Sequence, residues 1–413
     1  MKSFSKWKWC AVGCLSAALM TTAAADQNVT PLDHVFVIMM ENHAYGQIVG
    51  NPNAPFINRY ARQANTADNY FAIAHPSLTN YLEIVGGSNF GVLSDHNPDW
   101  HNAECKPNII KPFSQNRDDN GAGPVCPIAG DGMDAATVAS DTTNETTPPY
   151  VTALVNIDGQ SIAAAPTTGK SIADQLTERG RTWKSYQESL PPIGSNGVNT
   201  SDGFFTNRSN VSAVLPKEDQ TVPSLYAVKH NPFAYFRSVQ EHGLNNVVGF
   251  DGPHGLFDDL ASGHIPDFAL VAPNQCHDQH GRGNAGAACD FDPGPLGDGT
   301  FTDGSMNFLN PALIYQGDVT VRTLVEAIHN SSVWQQGRTA IVVVWDENDY
   351  SGVDNRVLAI IDTNYGEGGV HSSRFYTHFS LLKTIQAGLG LPCLNHSCDA
   401  NVPSMEDLFG LDR

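Results

Sequence analysis

Residues 34–43 read HVFVIMMENH, a continuous apolar run that ends directly at three polar residues. An unbroken apolar run of this length is typical of a strand that is buried on both faces of a parallel sheet. Similar runs occur at Asn246–Phe250, Phe268–Ala272, Thr339–Trp345 and Val357–Ile361. Helical patterns lie between them, at Ala54–Ala64, Ser171–Arg179, Val319–His329 and His378–Leu389. The chain is therefore predicted to form an α/β fold with a mostly parallel central sheet and helices on both faces.

The composition excludes two classes of protein. Of the 413 residues, 41% are hydrophobic and 16% are charged, which is too apolar and too sparsely charged for a disordered chain. The formal net charge of −20 provides no positive field to attract a phosphate backbone, so no nucleic-acid partner is expected.

The first 25 residues have the pattern of an export signal. Lys2, Lys6 and Lys8 form a basic start, an apolar stretch follows, and three alanines precede Asp26. The apolar stretch is shorter than the about 20 residues that a membrane span needs, so no stable membrane insertion is expected. We expect a secreted or periplasmic protein with a single domain over residues 26–413. Two loop-rich stretches, about 94–170 and 281–304, are expected to be insertions.

Six cysteines remain after the predicted cleavage, and an even number in an exported chain favours disulfides. The simplest pairing joins neighbours in sequence. These pairs are Cys105 with Cys126, Cys276 with Cys289, and Cys393 with Cys398.

Polar residues follow three of the predicted strands. In open α/β sheets, ligands bind beyond the carboxyl ends of the strands, so these residues are the first candidates for a site. Each cluster alone could equally be turn or helix-cap chemistry, but glutamate is a poor residue for either role. Packed acids need a compensating cation, and oxygen-rich groups suit a divalent metal. The clusters are Glu41-Asn42-His43, Asn274 to His280, and Asp346-Glu347-Asn348-Asp349.

Ser77 is the candidate nucleophile. It lies in HPSLTNYLEIVGG, residues 75–87, which is predicted to be a loop that runs into a short helix ending at glycine. A helix N-terminus favours an anion or an alkoxide. The alternative is that Ser77 only caps the helix. Thr79 is the second candidate for the nucleophile.

Five segments resemble one family when they are taken in order: MMENHAYGQIVGNPNAPFINRYA, AHPSLTNYLEIVGGSN, PDFALVAPNQCHDQH, VVVWDEND and THFSLLKTI. The sequence resembles the secreted acid phosphatase and phospholipase C family of phosphoesterases, within the alkaline phosphatase-like superfamily. The resemblance extends from about Asp33 to Gly390. It implies an alkaline phosphatase-like fold and hydrolysis of phosphoric esters through a phosphoseryl intermediate on Ser77.

The resemblance also implies roles for the clustered residues. Glu41, Asn42, Asp346 and Glu347 would hold one divalent metal ion, whose identity it does not give, and Asn42 would also contact the substrate. Asn274, His277, Asp278 and His280 lie where relatives contact metal or phosphate. His75 would contact the phosphate or only bond the local backbone. As a hypothesis on the mechanism, His280 or His378 would protonate the leaving alcohol. His230 and His371 are weaker candidates.

Three functions remain open from the sequence. The first is an acid phosphatase that acts on small phosphate monoesters. The second is a phospholipase C-type phosphodiesterase on phosphatidylcholine-like lipids, in which Tyr226, Phe233, Tyr235 and Phe236 would hold choline or be ordinary core residues. The third, of another class, is a non-catalytic binding protein on a phosphatase scaffold.

Overall fold

The computed structural model describes residues 29–100, 124–134, 165–191, 224–282, 285–286, 288–291, 310–349 and 355–410. The predicted signal peptide, Cys105 and most of the two predicted insertions lie outside these residues.

The described chain contains eleven strands and eight α-helices. The strands are β1 His34–Met40, β2 Asn65–Phe71, β3 Asp131–Met133, β4 Pro166–Thr168, β5 Trp183–Gln187, β6 Val247–Val248, β7 Phe268–Ala272, β8 Thr339–Trp345, β9 Arg356–Thr363, β10 His371–Ser372 and β11 Tyr376–Thr377. The helices are α1 Tyr45–Ile48, α2 Pro55–Gln63, α3 Ser77–Gly86, α4 Ile172–Glu178, α5 Leu256–Ser262, α6 Pro311–His329, α7 Ser332–Gln335 and α8 His378–Gly388.

A nine-stranded sheet forms the centre of the protein, in the order β10-β2-β9-β8-β1-β7-β5-β6, with β11 also paired to β2. Strand β1 lies between β7 and β8 and pairs in parallel with both. Every residue of β7 and β8 is buried, as is nearly all of β1, so this part of the sheet is covered on both faces. The predicted α/β fold with a mostly parallel sheet is confirmed.

One predicted strand runs in the opposite direction to its neighbours. Val357–Ile361 lies within β9, which pairs antiparallel with both β8 and β2. The prediction that this apolar run is a parallel strand was therefore wrong. An apolar run indicates burial on both faces, and it carries no information about strand direction.

Helix α3 is the best-protected helix of the site region, since all of its residues are buried. It ends as predicted at a glycine, because Gly87 takes the left-handed conformation at φ 70° and donates its N–H to the carbonyl of Glu83. A side chain at Gly87 would lie 2.4 Å from the carbonyl oxygen of Leu394, so only glycine fits here. The nucleophile candidate Ser77 thus begins a rigid, buried helix.

Two of the predicted disulfides are present, Cys276–Cys289 and Cys393–Cys398. Cys126 is also disulfide-bonded, and its predicted partner lies outside the described residues. Among the described helices, none combines the length and the apolar character that a membrane span requires.

Candidate active site

The ends of two neighbouring strands bring the first carboxylates together. Met40 is in register with Trp345, so Glu41 and Asp346 leave the sheet side by side. The Asp346 N–H donates to the Met40 carbonyl at 2.9 Å, and the Asn42 N–H donates to Asp346 Oδ1 at 3.2 Å. Asn42 turns the chain at φ 53°, a left-handed conformation that asparagine tolerates better than most residues. Two apolar strands therefore deliver two acids to one point.

Ser77 lies between two of the predicted metal-binding carboxylates. Its Oγ donates at 3.1 Å to Glu41 Oε2 and at 3.2 Å to Glu347 Oε1, and the side chain is buried. Thr79 points elsewhere, because its hydroxyl donates to the carbonyl of Val92. Of the two nucleophile candidates, only Ser77 contacts the acid cluster.

Glu347 is held from three sides. Its Oε2 accepts from the Asn80 side-chain amide at 3.1 Å and lies 2.8 Å from Nδ1 of His75. Asn80 also accepts two backbone N–H groups, from Ile73 and Ala74, which ties the loop before Ser77 to helix α3. His75 therefore contacts Glu347, its neighbour in the site.

Glu41 has a second set of partners. The Tyr81 hydroxyl donates to Glu41 Oε1 at 2.6 Å, and His230 Nε2 lies 3.1 Å from the same oxygen. The other ring nitrogen of His230 lies 3.1 Å from Asp278 Oδ2. The rings of Tyr81 and His230 stack with an interplanar angle of 5°. His230 thus joins the end of β1 to the loop that follows β7.

The donor atoms at this site fit a divalent cation. Glu41, His230 and His280 each offer one ligand atom, and these atoms lie within 4.8 Å of one another. Asn42 Oδ1 and Asp346 Oδ2 are buried acceptors that find no hydrogen-bond partner in the described part of the chain. Buried oxygens without donors are costly unless an ion compensates them. Three of the predicted ligands, Glu41, Asn42 and Asp346, therefore have atoms that could bind a cation, as do His230 and His280.

The pKa shifts of the clustered residues also favour a bound cation. Burial, followed by repulsion from Asp346 and Asp278, raises the pKa of Glu41 well above its usual value. Burial raises the pKa of Asp346 to about 6. Burial also lowers the pKa of His230 far below its usual value and that of His280 to about 3. Crowded acids beside neutral imidazoles are what a bound cation would stabilise.

Lys229 is the contact that the sequence did not predict. Its Nζ lies 3.4 Å from Ser77 Oγ and 2.8 Å from Asp95 Oδ2, and the residue is 8% exposed. Burial acts to lower the pKa of this ammonium, but Asp95, Glu41 and Glu347 outweigh it and raise the pKa. Lys229 and His230 belong to a short 3₁₀ turn, Val228–His230, rather than to a strand end. The sequence feature that could have identified Lys229 is the basic pair Lys229-His230, which lies between aromatic residues in the sequence.

Other predicted residues contact neighbours of Ser77 or the surrounding loops, and not Ser77 itself. His378 is buried, with one ring nitrogen 2.6 Å from the Asp346 carbonyl and the other 2.9 Å from the Tyr70 hydroxyl. His277 pairs with Glu188 at 2.8 Å, and both line a cavity of about 430 Å³. Asn274 accepts the N–H of His277. These residues shape the loops around the cluster.

Two further sets of predicted residues have other surroundings. The partly exposed His371 contacts Asp68 at 3.3 Å. The four aromatic residues considered for a choline cage are all buried in the core: Tyr226, Phe233, Tyr235 and Phe236.

Two curated relatives resemble most of this chain at low identity. A probable acid phosphatase of Kluyveromyces lactis is 22% identical over 94% of the chain, which covers 65% of that protein. A phosphatidylinositol-3-phosphatase of Mycobacterium tuberculosis is 22% identical over 97% of the chain and 87% of its own length. The chain thus spans slightly less than two thirds of the acid phosphatase.

A solved structure and a family model were also matched. The structure is a protein in the alkaline phosphatase superfamily from Vibrio parahaemolyticus, with a TM-score of 0.44 and 11% identity over 92% of this chain and 74% of that chain. The model of the Phosphoesterase family matches residues 51–290, which is more than half of the sequence and includes Ser77, Lys229, His230 and His280. The chain therefore belongs to the Phosphoesterase family.

Proposed function

We propose that this protein is a metal-dependent phosphatase that hydrolyses phosphate monoesters through a phosphoseryl intermediate on Ser77. The observation that carries the proposal is the position of Ser77 Oγ, which lies within hydrogen-bond distance of Glu41, Glu347 and Lys229. A serine with carboxylate acceptors and a cation around one oxygen has the arrangement of an activated nucleophile. The names of the acid phosphatase relatives support the same reaction.

The proposed reaction follows from the contacts of Ser77. Its oxygen forms a bond to phosphorus while the bond from phosphorus to the alcohol oxygen breaks. The hydroxyl proton passes to Glu347, whose Oε1 already accepts it at 3.2 Å. Lys229 stabilises negative charge on the phosphoryl oxygens. The leaving alkoxide takes a proton from water, and the hydroxide so formed attacks the phosphoserine and releases phosphate. Glu347 then returns its proton to Ser77 Oγ, which regenerates the free serine and the carboxylate.

Glu41, Asn42 and Asp346, with His230 and His280, are proposed to hold the divalent cation. Glu347 belongs to the same set in the family resemblance. Its oxygens contact Ser77, Asn80 and His75, and we propose it here as the base for Ser77. A cation bound here would supply Lewis-acid stabilisation of negative charge.

The two histidines considered as general acids have contacts that favour other roles. Burial holds the pKa of His280 near 3 and that of His378 near 4, so both are neutral at ordinary pH. A neutral imidazole can bind a metal or accept and donate one hydrogen bond, but it has no proton to spare for a leaving group. His280 is therefore proposed as a ligand, and His378 as the support of the Asp346 backbone.

The nature of the alcohol is a separate matter. The relative named a phosphatidylinositol-3-phosphatase matches this chain over 87% of its own length, which favours a lipid-borne phosphate monoester as a second candidate substrate. The phospholipase C alternative has less support, because the aromatic residues considered for choline are buried. A non-catalytic binding protein would not need Ser77 held between two carboxylates.

Export is proposed from the pattern of residues 1–25, and two disulfides in the described chain are consistent with an oxidising compartment. Mass spectrometry of the protein recovered outside the cytoplasm should give a chain that begins at Asp26. A full-length mass would contradict the proposed cleavage.

The function is tested with p-nitrophenyl phosphate and p-nitrophenyl phosphorylcholine, which release the same chromophore from a monoester and a diester. The purified protein is assayed with added Mg²⁺, Mn²⁺, Ca²⁺ or Zn²⁺ beside Ser77→Ala. Cleavage of the monoester that depends on Ser77 is the expected result. Preference for the choline diester would move the assignment to a phospholipase C, and no cleavage of either with any metal would favour the binding protein.

A further inference from the structure

We propose that Lys229, held in place by Asp95, selects phosphate monoesters over diesters at Ser77. The inference rests on the proposed function and names the residue that would set its substrate class. Among the residues that the structure describes, Lys229 is the cationic side chain in contact with Ser77, at 3.4 Å from Nζ to Oγ.

The distance places the ammonium beside the reacting group. A phosphorus atom poised for attack lies about 3–3.5 Å from the nucleophilic oxygen. A cation that already touches that oxygen is then within reach of the phosphoryl oxygens, where charge is spread in the transition state. Lys229 is buried, so water screens this attraction only weakly.

The charge of the substrate decides how much this contact contributes. A monoester carries up to two negative charges on its phosphoryl group, while a diester carries one. Coulomb attraction scales with the product of the charges, so the ammonium gains about twice as much from the dianion. The carboxylates Glu41, Asp346 and Glu347 also repel the dianion of a monoester more strongly than the monoanion of a diester. Without Lys229, the site would therefore lose most of its preference for monoesters.

Asp95 is the positioning residue of this pair. Its Oδ2 accepts from Lys229 Nζ at 2.8 Å, and its Oδ1 accepts from the backbone N–H of Leu78 at 3.0 Å. One carboxylate thus joins the lysine to the first turn of the helix that carries Ser77. This bridge fixes a long, flexible side chain, which would otherwise lose rotamer entropy whenever it contacted the substrate.

The test compares kcat/KM for p-nitrophenyl phosphate and bis-p-nitrophenyl phosphate at neutral pH in metal-loaded protein. Lys229→Met keeps the length of the side chain and removes the charge. We expect about a 10²-fold loss for the monoester, the size found for loss of one transition-state donor. The diester should lose about tenfold, because the attraction is half as strong and half the energy corresponds to the square root of the fold-change. Asp95→Asn keeps the lysine charge but weakens its anchor, so the monoester-to-diester ratio should fall by an intermediate factor.

Lys184→Met is the matched control. Lys184 also pairs with a buried aspartate, Asp259, but it lies on strand β5. Its ammonium group donates to Asp259 and to the carbonyl of His254, and not to Ser77. Both rates should remain near the wild-type values in this variant.

The outcomes separate the two proposals. Equal losses for both esters in Lys229→Met would overturn the selection role and assign Lys229 to general support of Ser77. Unchanged kcat/KM for both esters would overturn it too. If Lys229→Met fails to fold, the monoester-to-diester ratio of kcat/KM is measured in Asp95→Asn and in the double variant Lys229→Met/Asp95→Asn. The double variant removes both charges of the pair, so neither is left buried without its partner. Absence of Ser77-dependent cleavage in the wild-type protein would instead overturn the proposed function.

Discussion

Ser77 Oγ lies 3.1 Å from Glu41 Oε2, although the two residues are 36 positions apart in the chain. Glu41 is fixed by strand β1 at the centre of the sheet, and Ser77 is fixed by the first turn of the buried helix α3. Neither element can shift without disturbing packed core, so the serine is held against the acid before any substrate binds. This preorganisation underlies the predictions that follow.

Replacing Ser77, the proposed nucleophile, should abolish turnover. Ser77→Ala is expected to lower kcat by at least about 10³-fold, because the atom that attacks phosphorus is removed. The melting temperature and circular dichroism should stay close to those of the wild type. Rapid acid quenching with ³²P-labelled substrate should trap a phosphoprotein in the wild type but not in Ser77→Ala.

Thr79→Ala is the control for that experiment. The Thr79 hydroxyl donates to the Val92 carbonyl, so its loss should cost about 1 kcal/mol of stability and leave kcat within a few fold. A large loss of the phosphoprotein in Thr79→Ala, with Ser77→Ala still active, would reverse the assignment.

Removal of metal should inactivate the protein reversibly. Dialysis against a chelator is expected to abolish activity, and the correct divalent ion should restore both activity and a higher melting temperature, since an ion that binds only the folded state stabilises it. Asp346→Asn should lower the bound metal measured by mass spectrometry of the digested protein. Asp362→Asn serves as control, because Asp362 contacts Tyr60 and His329 instead. Full metal content in Asp346→Asn would contradict the proposed ligand set.

Tyr81 should act on the metal through Glu41. Its hydroxyl donates to Glu41 at 2.6 Å, and loss of such an outer partner typically lowers metal affinity by about 10–100-fold. Tyr81→Phe is therefore expected to need more metal for half-maximal activity, measured by titration of the metal-free protein, with little change in kcat at saturation.

Tyr226→Phe removes another buried tyrosine hydroxyl, one that is bonded to Asn231, and should leave the metal titration unchanged. A fall in saturated kcat without any shift in the metal titration of Tyr81→Phe would show that Tyr81 acts on the chemistry and not on metal affinity.

The strands that carry the acids were predictable because their apolar runs are unbroken. His34–Met40, Phe268–Ala272 and Thr339–Trp345 were predicted with the bounds that the structure has. Strands β2 and β5, with sequences NTADNYF and WKSYQ, were missed, because polar residues interrupt the apolar pattern. Whether a segment without a periodic apolar pattern forms a buried strand depends on the strands that pair with it. Those partners are distant in sequence, so the segment itself does not reveal the strand.

The site was predictable where it follows strand ends and not where it comes from irregular backbone. Glu41 and Asp346 follow strands directly, so sheet geometry alone places them together. Lys229 and His230 come from a 3₁₀ turn whose position is set by contacts with α3. Asp95 lies in an irregular segment and reaches the site by capping Leu78. No period or motif marks such a residue before the chain is folded.

His396 should contribute more to the free energy of unfolding in acid than in alkali. Burial opposes its charge, but hydrogen bonds and attraction from Asp134 and Asp399 outweigh burial and raise its pKa. Its Nε2 lies 2.5 Å from Asp134 and its Nδ1 lies 2.8 Å from Asp399. A raised pKa in the folded state adds stability that is complete below the unfolded pKa and is lost as pH rises through the folded pKa.

The stability difference between wild type and His396→Gln should therefore depend on pH. We expect about 1.5–3 kcal/mol near pH 5, a value typical of charged hydrogen bonds, and a smaller difference in alkali. Urea unfolding across this range measures it. Asp134→Asn should remove part of the same pH dependence, and a His396→Gln difference that grows with pH would contradict the assignment.

The Cys276–Cys289 disulfide should matter for activity as well as for stability. It closes a loop with a sequence separation of 13, and that loop includes Asp278 and His280. The Cys393–Cys398 disulfide spans a separation of only 5 and carries none of the proposed site residues. Since loop-closure entropy grows with loop length, loss of the first pair should cost more stability, on the order of 2–4 kcal/mol.

Two double variants, in which both cysteines of one disulfide are replaced by serine, distinguish a loss of stability from a loss of order in the site. Replacing Cys276 and Cys289 together should weaken metal binding and lower kcat/KM even at temperatures where the variant is fully folded, because His280 and Asp278 lose their tether. Replacing Cys393 and Cys398 should lower the melting temperature and leave kcat/KM near the wild-type value. An unchanged kcat/KM in the Cys276 and Cys289 variant, measured on folded protein, would mean that the loop after β7 is held by its hydrogen bonds alone, chiefly the Glu41 N–H to the Asp278 carbonyl at 2.8 Å.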